Sequence, residues 1–75
     1  MKIEYDPHAM IRMGEKHIAD VHVRFVLENG DFVRNTGDGV GQVWQARILG
    51  RTIVVAMEWH PGDTAYVRSV WSRRR

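Results

Sequence analysis

Two apolar runs, Gln42-Val-Trp-Gln-Ala-Arg-Ile-Leu49 and Thr52-Ile-Val-Val-Ala-Met-Glu-Trp59, are separated only by Gly50-Arg51. No other stretch restricts the fold so much. Both runs are dense in β-branched and aromatic residues, and a two-residue hinge that begins with glycine suits a tight primed turn. The pattern predicts a β-hairpin at the centre of a sheet. With Leu49 facing Thr52, the alternation puts Trp44, Ala46, Ile48, Ile53, Val55, Met57 and Trp59 on one apolar face. The opposite face carries Val43, Gln45, Arg47, Thr52, Val54, Ala56 and Glu58. Burying Arg47 or Glu58 without a partner would be costly, so this second face is expected to stay open.

The flanking segments supply the cover. Met1 to Tyr5 alternates and is stopped by Pro7, as in a short edge strand. His8 to Lys16 reads as a helix with an Ala9, Met10 and Met13 stripe, capped by Asp6 with Pro7 at the first position. Val21 to Leu27 fits both strand and helix spacing; Asp20 as N-cap and the stop at Asn29-Gly30 favour a helix. Asp31 to Asn35 suits a short strand, Thr36 to Gly41 a glycine-rich turn, and Thr64 to Trp71 a last strand after the turn His60-Pro-Gly-Asp63. The expected fold is α+β: a short N-terminal strand and two helices packed on one face of a curled antiparallel sheet, in a single domain over 1–75.

Seventy-five residues support one small core, which a homodimer or a tight partner would supplement. The absence of cysteine leaves no disulfide or thiolate metal site and fits a reducing cytoplasm. No apolar stretch approaches the roughly 20 residues that span a bilayer, and the first residues lack a signal-peptide core, so no membrane partner is expected. The net charge is +2, but six arginines after Gln42 face only Glu58 and Asp63, whereas the first 42 residues hold five basic and seven acidic side chains. Cationic bias of this kind suits a surface that meets phosphates; a solvated charged tail is the other reading.

The segments Tyr5-Asp-Pro-His8-Ala9, Arg12-Met13, Ile18, Asp20-Val21, Val26-Leu27 and Gly50-Arg-Thr-Ile-Val-Val55 together resemble the domain-of-unknown-function family four-two-five-eight, a relative of the BrnT and RelE toxins. Tyr66-Val-Arg68-Ser69-Val-Trp-Ser-Arg73 is similar to the pattern that closes BrnT chains. The chain departs from its relatives at Lys16-His17, where they tend to have Arg-Gly, and at Ala19, where they have a capping serine. The resemblance implies a RelE-like α+β fold and a cytoplasmic ribonuclease toxin, an endoribonuclease acting on RNA and held in check by an antitoxin protein.

Cleavage of RNA through the 2′-hydroxyl needs a base, an acid and cations, but no metal. Arg47 and Glu58 lie on the open face. Arg68 joins them if the last hairpin loop is one residue longer or shorter than His60 to Asp63; otherwise it falls on the covered face against Val55. Arg47 and Arg68 would then clamp phosphate, with Glu58 as base or orienter, unless these residues form an ordinary cross-strand ion pair. His8 and Arg12 share a helix face at i and i+4, and an imidazole there could serve as acid or base, although His8 also suits an exposed or capping first-turn position. Trp71, Arg73, Arg74 and Arg75 place an aromatic ring beside cations, which suits contact with RNA or with a protein partner. Trp44 and Trp59 read as core residues. The remaining histidines, His17, His22 and His60, have no metal-site spacing, and no metal or cofactor is expected.

Overall fold

The computed structural model describes residues 1–74, with side chains over 1–73. Along the chain lie β1 (Lys2–Tyr5), α1 (Pro7–Lys16), α2 (Asp20–Asn29), β2 (Asp31–Asn35), β3 (Gln42–Ile48), β4 (Arg51–His60) and β5 (Thr64–Arg74). The five strands form one sheet in the order β1-β5-β4-β3-β2. Strands β2 to β5 are an antiparallel meander, but β1 joins the outer edge of β5 in parallel. The sheet is therefore mixed, where a wholly antiparallel one was expected. A parallel neighbour requires a long crossover, and here that crossover is all of α1, α2 and β2 to β4.

The central hairpin keeps its expected faces but not its hinge. Ile48 pairs with Arg51, and the turn is Leu49-Gly50, both with positive φ (51° and 84°). Type I′ turns need that pair of left-handed residues, and their twist matches the strands they join. Moving the hinge back by one residue shifts every cross-strand pair by two, and with a side-chain period of two each residue stays on its face. Ala46 thus lies opposite Ile53, and Trp44 opposite Val55.

Both helices pack on the face so defined. Ala9 of α1, Val23 and Val26 of α2, and Ile18 between the helices close over Ile53, Val55, Met57, Ala65, Val67 and Val70. The Asp6 carboxylate caps α1 by accepting the His8 amide at 2.8 Å, with Pro7 at the first helical position. The N-cap of α2 is Ala19, not Asp20. Here His22 Nδ1 accepts the Ala19 amide at 2.9 Å, leaving Asp20 in the first turn, where it accepts from the Tyr5 hydroxyl. Arg51, at the start of β4, donates to the carbonyls of Lys16 and His17 at 2.6 and 2.7 Å and so ties the end of α1 to the hairpin.

The tryptophans divide differently from the expectation. Trp44 is half-buried against the core, edge-on to Phe32 at 5.6 Å. Trp59 sits near the end of β4 and is 45% exposed, its indole N–H and that of Trp44 both donating to Gln42 Oε1. No helix among the described residues is long and apolar enough to cross a membrane.

Candidate nucleic-acid interface on the open sheet face

The face away from the helices is built by alternation on β3, β4 and β5. At one end, His60 pairs with Thr64 and Glu58 with Tyr66, so the last hairpin loop is one residue shorter than His60 to Asp63. Two residues further along β5 the register shifts: Met57 pairs with Val67 but Ala56 with Ser69, which leaves Arg68 as an inserted residue. Such a bulge re-aims side chains locally. The Arg68 guanidinium bonds Asp38 Oδ2 at 2.8 Å and Thr36 Oγ1 at 3.4 Å, on the loop between β2 and β3.

Around Arg68 lies a polar cluster. His60 Nε2 is 3.7 Å from Glu58 Oε2, and the His60 ring stacks on Tyr66 with centroids 5.1 Å apart and planes 6° from parallel. The Tyr66 hydroxyl donates to Asp6 Oδ2 at 2.8 Å. That bond, more than its partial desolvation and the nearby carboxylates, raises the Tyr66 pKa above its ordinary value. Asp6 is lowered, by the His8 amide first and Tyr66 second. The Asp38 carboxyl is held well below the usual range by the Thr36 hydroxyl, then the Val40 amide, then Arg68. Arg68 is raised, chiefly by its bond to Asp38, with the Asp38 and Glu58 charges adding to it.

Toward the other end the face turns basic. Trp71 lies opposite Val54, which lies opposite Gln45 on its other side. Arg73 reaches across β4 to donate to Gln45 Oε1 at 2.9 Å. Val43 and Val54 are only 2% and 1% exposed on this face, so it is less open than its pattern suggests. Flanking Trp71 and the Arg73 to Gln45 bridge account for the cover on Val54. Arg47, opposite Thr52, completes the row with Arg73.

The structure brings together some of the residues singled out by sequence and separates others. Glu58 and Arg68 share one end of the face. Arg47 does not join them: Thr52 and Glu58 are six residues apart on β4, about 20 Å at ~3.3 Å per residue. Arg68 is nearer, inserted beside Ala56 four residues from Thr52, about 13 Å at ~3.3 Å per residue, but its guanidinium is taken up by Asp38, so the pair does not clamp a single phosphate as placed. His8 and Arg12 are exposed on α1, which packs on the opposite face. Trp71 and Arg73 lie on the open face, whereas the Arg74 side chain and all of Arg75 fall outside the described residues. His60, Tyr66, Asp6 and Asp38 are additions. The alternation Glu58, Trp59, His60 already placed Glu58 and His60 on one face, had β4 been extended that far; nothing local indicated Asp38.

A groove of about 350 Å³ lies elsewhere, lined by Val21, His22, Phe25, Arg47, Ile48 and Leu49. Its walls are mainly apolar, and it holds no pair of groups suited to proton transfer at phosphate. No cluster of three or more metal-binding side chains occurs among the described residues. In comparisons with protein-family models, with curated proteins and with solved structures, nothing matched the chain.

Proposed function

We propose that this protein is a metal-independent endoribonuclease of the RelE and BrnT toxin type, which binds RNA across the open sheet face and is neutralised by an antitoxin protein. One observation carries the reading: Glu58, His60 and Arg68 gather at one end of a face whose other end presents Trp71, Arg73 and Arg47. The resemblance of the Tyr5 to Ala9, Arg12-Met13 and Gly50 to Val55 segments to the toxin family supports the class. In this reaction Glu58 takes the proton of a 2′-hydroxyl, and the oxygen attacks the adjacent phosphorus. The bond to the 5′-oxygen breaks as His60 supplies that oxygen with a proton, leaving a 2′,3′-cyclic phosphate and a 5′-hydroxyl end. Arg68 stabilises the charge that develops on the phosphorane. Trp71 and the arginines beyond it hold the flanking strand by stacking and ion pairing.

The test is cleavage of single-stranded RNA, naked and ribosome-bound, by the wild-type chain and by Glu58→Gln, His60→Gln and Arg68→Ala. Each folded variant is expected to lose about 100-fold or more in rate. A wild-type chain that cleaves neither substrate overturns the enzyme reading.

A second reading, a non-catalytic module that binds RNA or a protein through the same face, is favoured by the engagement of Arg68 with Asp38. Under it, RNA binds without product, and Arg47→Ala and Arg73→Ala each reduce the slope of log affinity against log salt by about 1.

A further inference from the structure

The loop between β2 and β3 is held to the rest of the molecule in an unusual way. Within it, Thr36 Oγ1 donates to Asp38 Oδ1 at 2.5 Å, while the amides of Val40 and Gly41 donate to Asp38 Oδ1 and Thr36 Oγ1, each at 2.9 Å. The turn is closed by Thr36 N to Gly41 O at 3.0 Å and Gly39 N to Thr36 O at 2.9 Å. Beyond the loop, the side-chain hydrogen bonds of these residues among those described run only to Arg68. Val40, the one large apolar side chain in the loop, is exposed and anchors nothing. Among the described residues, the loop's side-chain tether to the sheet is therefore one guanidinium.

That guanidinium is where a phosphate would be wanted. The register of the last hairpin puts Arg68 on the open face beside Glu58, at the β-bulge. Its passage under the loop depends on Gly41, where an added Cβ would stand 2.5 Å from Arg68 Nη1 and 2.7 Å from the Met57 carbonyl oxygen. Carboxylate and phosphate present the same oxygen geometry to arginine. The Asp38 carboxylate thus fills the position that a phosphodiester oxygen would take, with the Thr36 hydroxyl as a second donor. Thr36 Oγ1 also accepts the Gly41 amide at 2.9 Å, a contact that does not run through Asp38.

We propose that Arg68 and Thr36 form a phosphate-binding site and that Asp38 is its tethered internal competitor, so that a phosphodiester binds by displacing the Asp38 carboxylate and freeing the loop. This rests on the reading of the open face as an RNA-cleaving surface and adds its regulation: the site is closed until substrate outcompetes the chain's own carboxylate. Tethering keeps that carboxylate at a high effective concentration, so only a multiply contacted substrate displaces it readily.

The experiment is titration of the full chain with inorganic phosphate at constant ionic strength, following the Val40 amide and the Arg68 Nε–H by nuclear magnetic resonance. Asp38→Asn keeps an acceptor for the Val40 amide and removes the charge together with the oxygen that faces Arg68. The expected result is a midpoint at least threefold lower in Asp38→Asn than in wild type, with the gain abolished in Asp38→Asn/Arg68→Ala. Equal midpoints, or a gain that survives loss of Arg68, would overturn the proposal. RNA cleavage by the same proteins separates this from the function: a phosphate gain without cleavage keeps the competitor and removes the ribonuclease, whereas cleavage with unchanged midpoints does the reverse.

Discussion

Leu49 adopts a backbone conformation that its side chain disfavours. With φ at 51° and 93% exposure, it takes the left-handed region and gains no burial in return. A non-glycine residue held in that region costs on the order of 1–3 kcal/mol, and asparagine tolerates it far better. Leu49→Asn, which creates the Asn-Gly pair favoured in such turns, is expected to stabilise the protein by about 1 kcal/mol in urea unfolding. A midpoint that falls would show that Leu49 makes contacts worth more than its strain. The same residue marks a limit of sequence reading. Apolar alternation carries Leu49 into the strand, and local propensity gives no reason to expect a leucine at positive φ, so the hinge reads one residue late.

The elements show why the faces were legible while the connections between them were not. Period-two alternation on β3 and β4 assigns each hairpin residue to a side, and that assignment survives a two-residue slip in pairing. Arg68 was legible only as a condition on loop length. The His60 to Thr64 pairing meets that condition, and the bulge then directs the side chain. Asp38 depends on a glycine-rich loop folding back over a strand that lies thirty residues later in the chain, and no local pattern encodes this. The tie between the hairpin and α1 is equally non-local. Arg51 satisfies two terminal carbonyls of that helix with one planar cation, which both replaces missing hydrogen bonds and complements the helix dipole. Arg51→Ala is expected to cost about 1–2 kcal/mol in denaturant unfolding and to raise hydrogen exchange first in the last turn of α1. Arg51→Lys, with no fork to span both carbonyls, should recover only part of it.

At the scale of the whole molecule, carboxyl and phenol groups limit stability from opposite sides. Asp6 and Asp38 have folded pKa values below their ordinary ones, so the unfolded chain binds more protons in acid. Their contribution is complete above the ordinary carboxyl value near ~4 and is lost as pH falls through the lower folded values. Tyr5 is raised by burial first and by its bond to Asp20 second, and Tyr66 by its bond to Asp6. Their contribution is complete below the ordinary phenol value near ~10 and is lost as pH rises past it. Denaturant midpoints measured across pH should therefore form a plateau between about pH 5 and 9 and fall on both sides. Asp6→Asn should weaken the acid limb; an unchanged limb would rule out Asp6 as its source.

The parallel pairing of β1 with β5 also bears on how the molecule is made. Lys2 to Tyr5 register with Thr64 to Val67, and the terminal amine lies 3.4 Å from the Asp63 carboxylate. Of the five strands, β1 is made first and thus waits, without its neighbour, for β5, the last of them, while the local hairpin of β3 and β4 is free to form in between. Contacts of such long sequence separation form slowly, because the loop between them must be closed before they contribute. A nascent chain lacking residues 64–74 has no β5 to carry Tyr66, Arg68, Trp71 or Arg73, so the open face is completed only once β5 has been made.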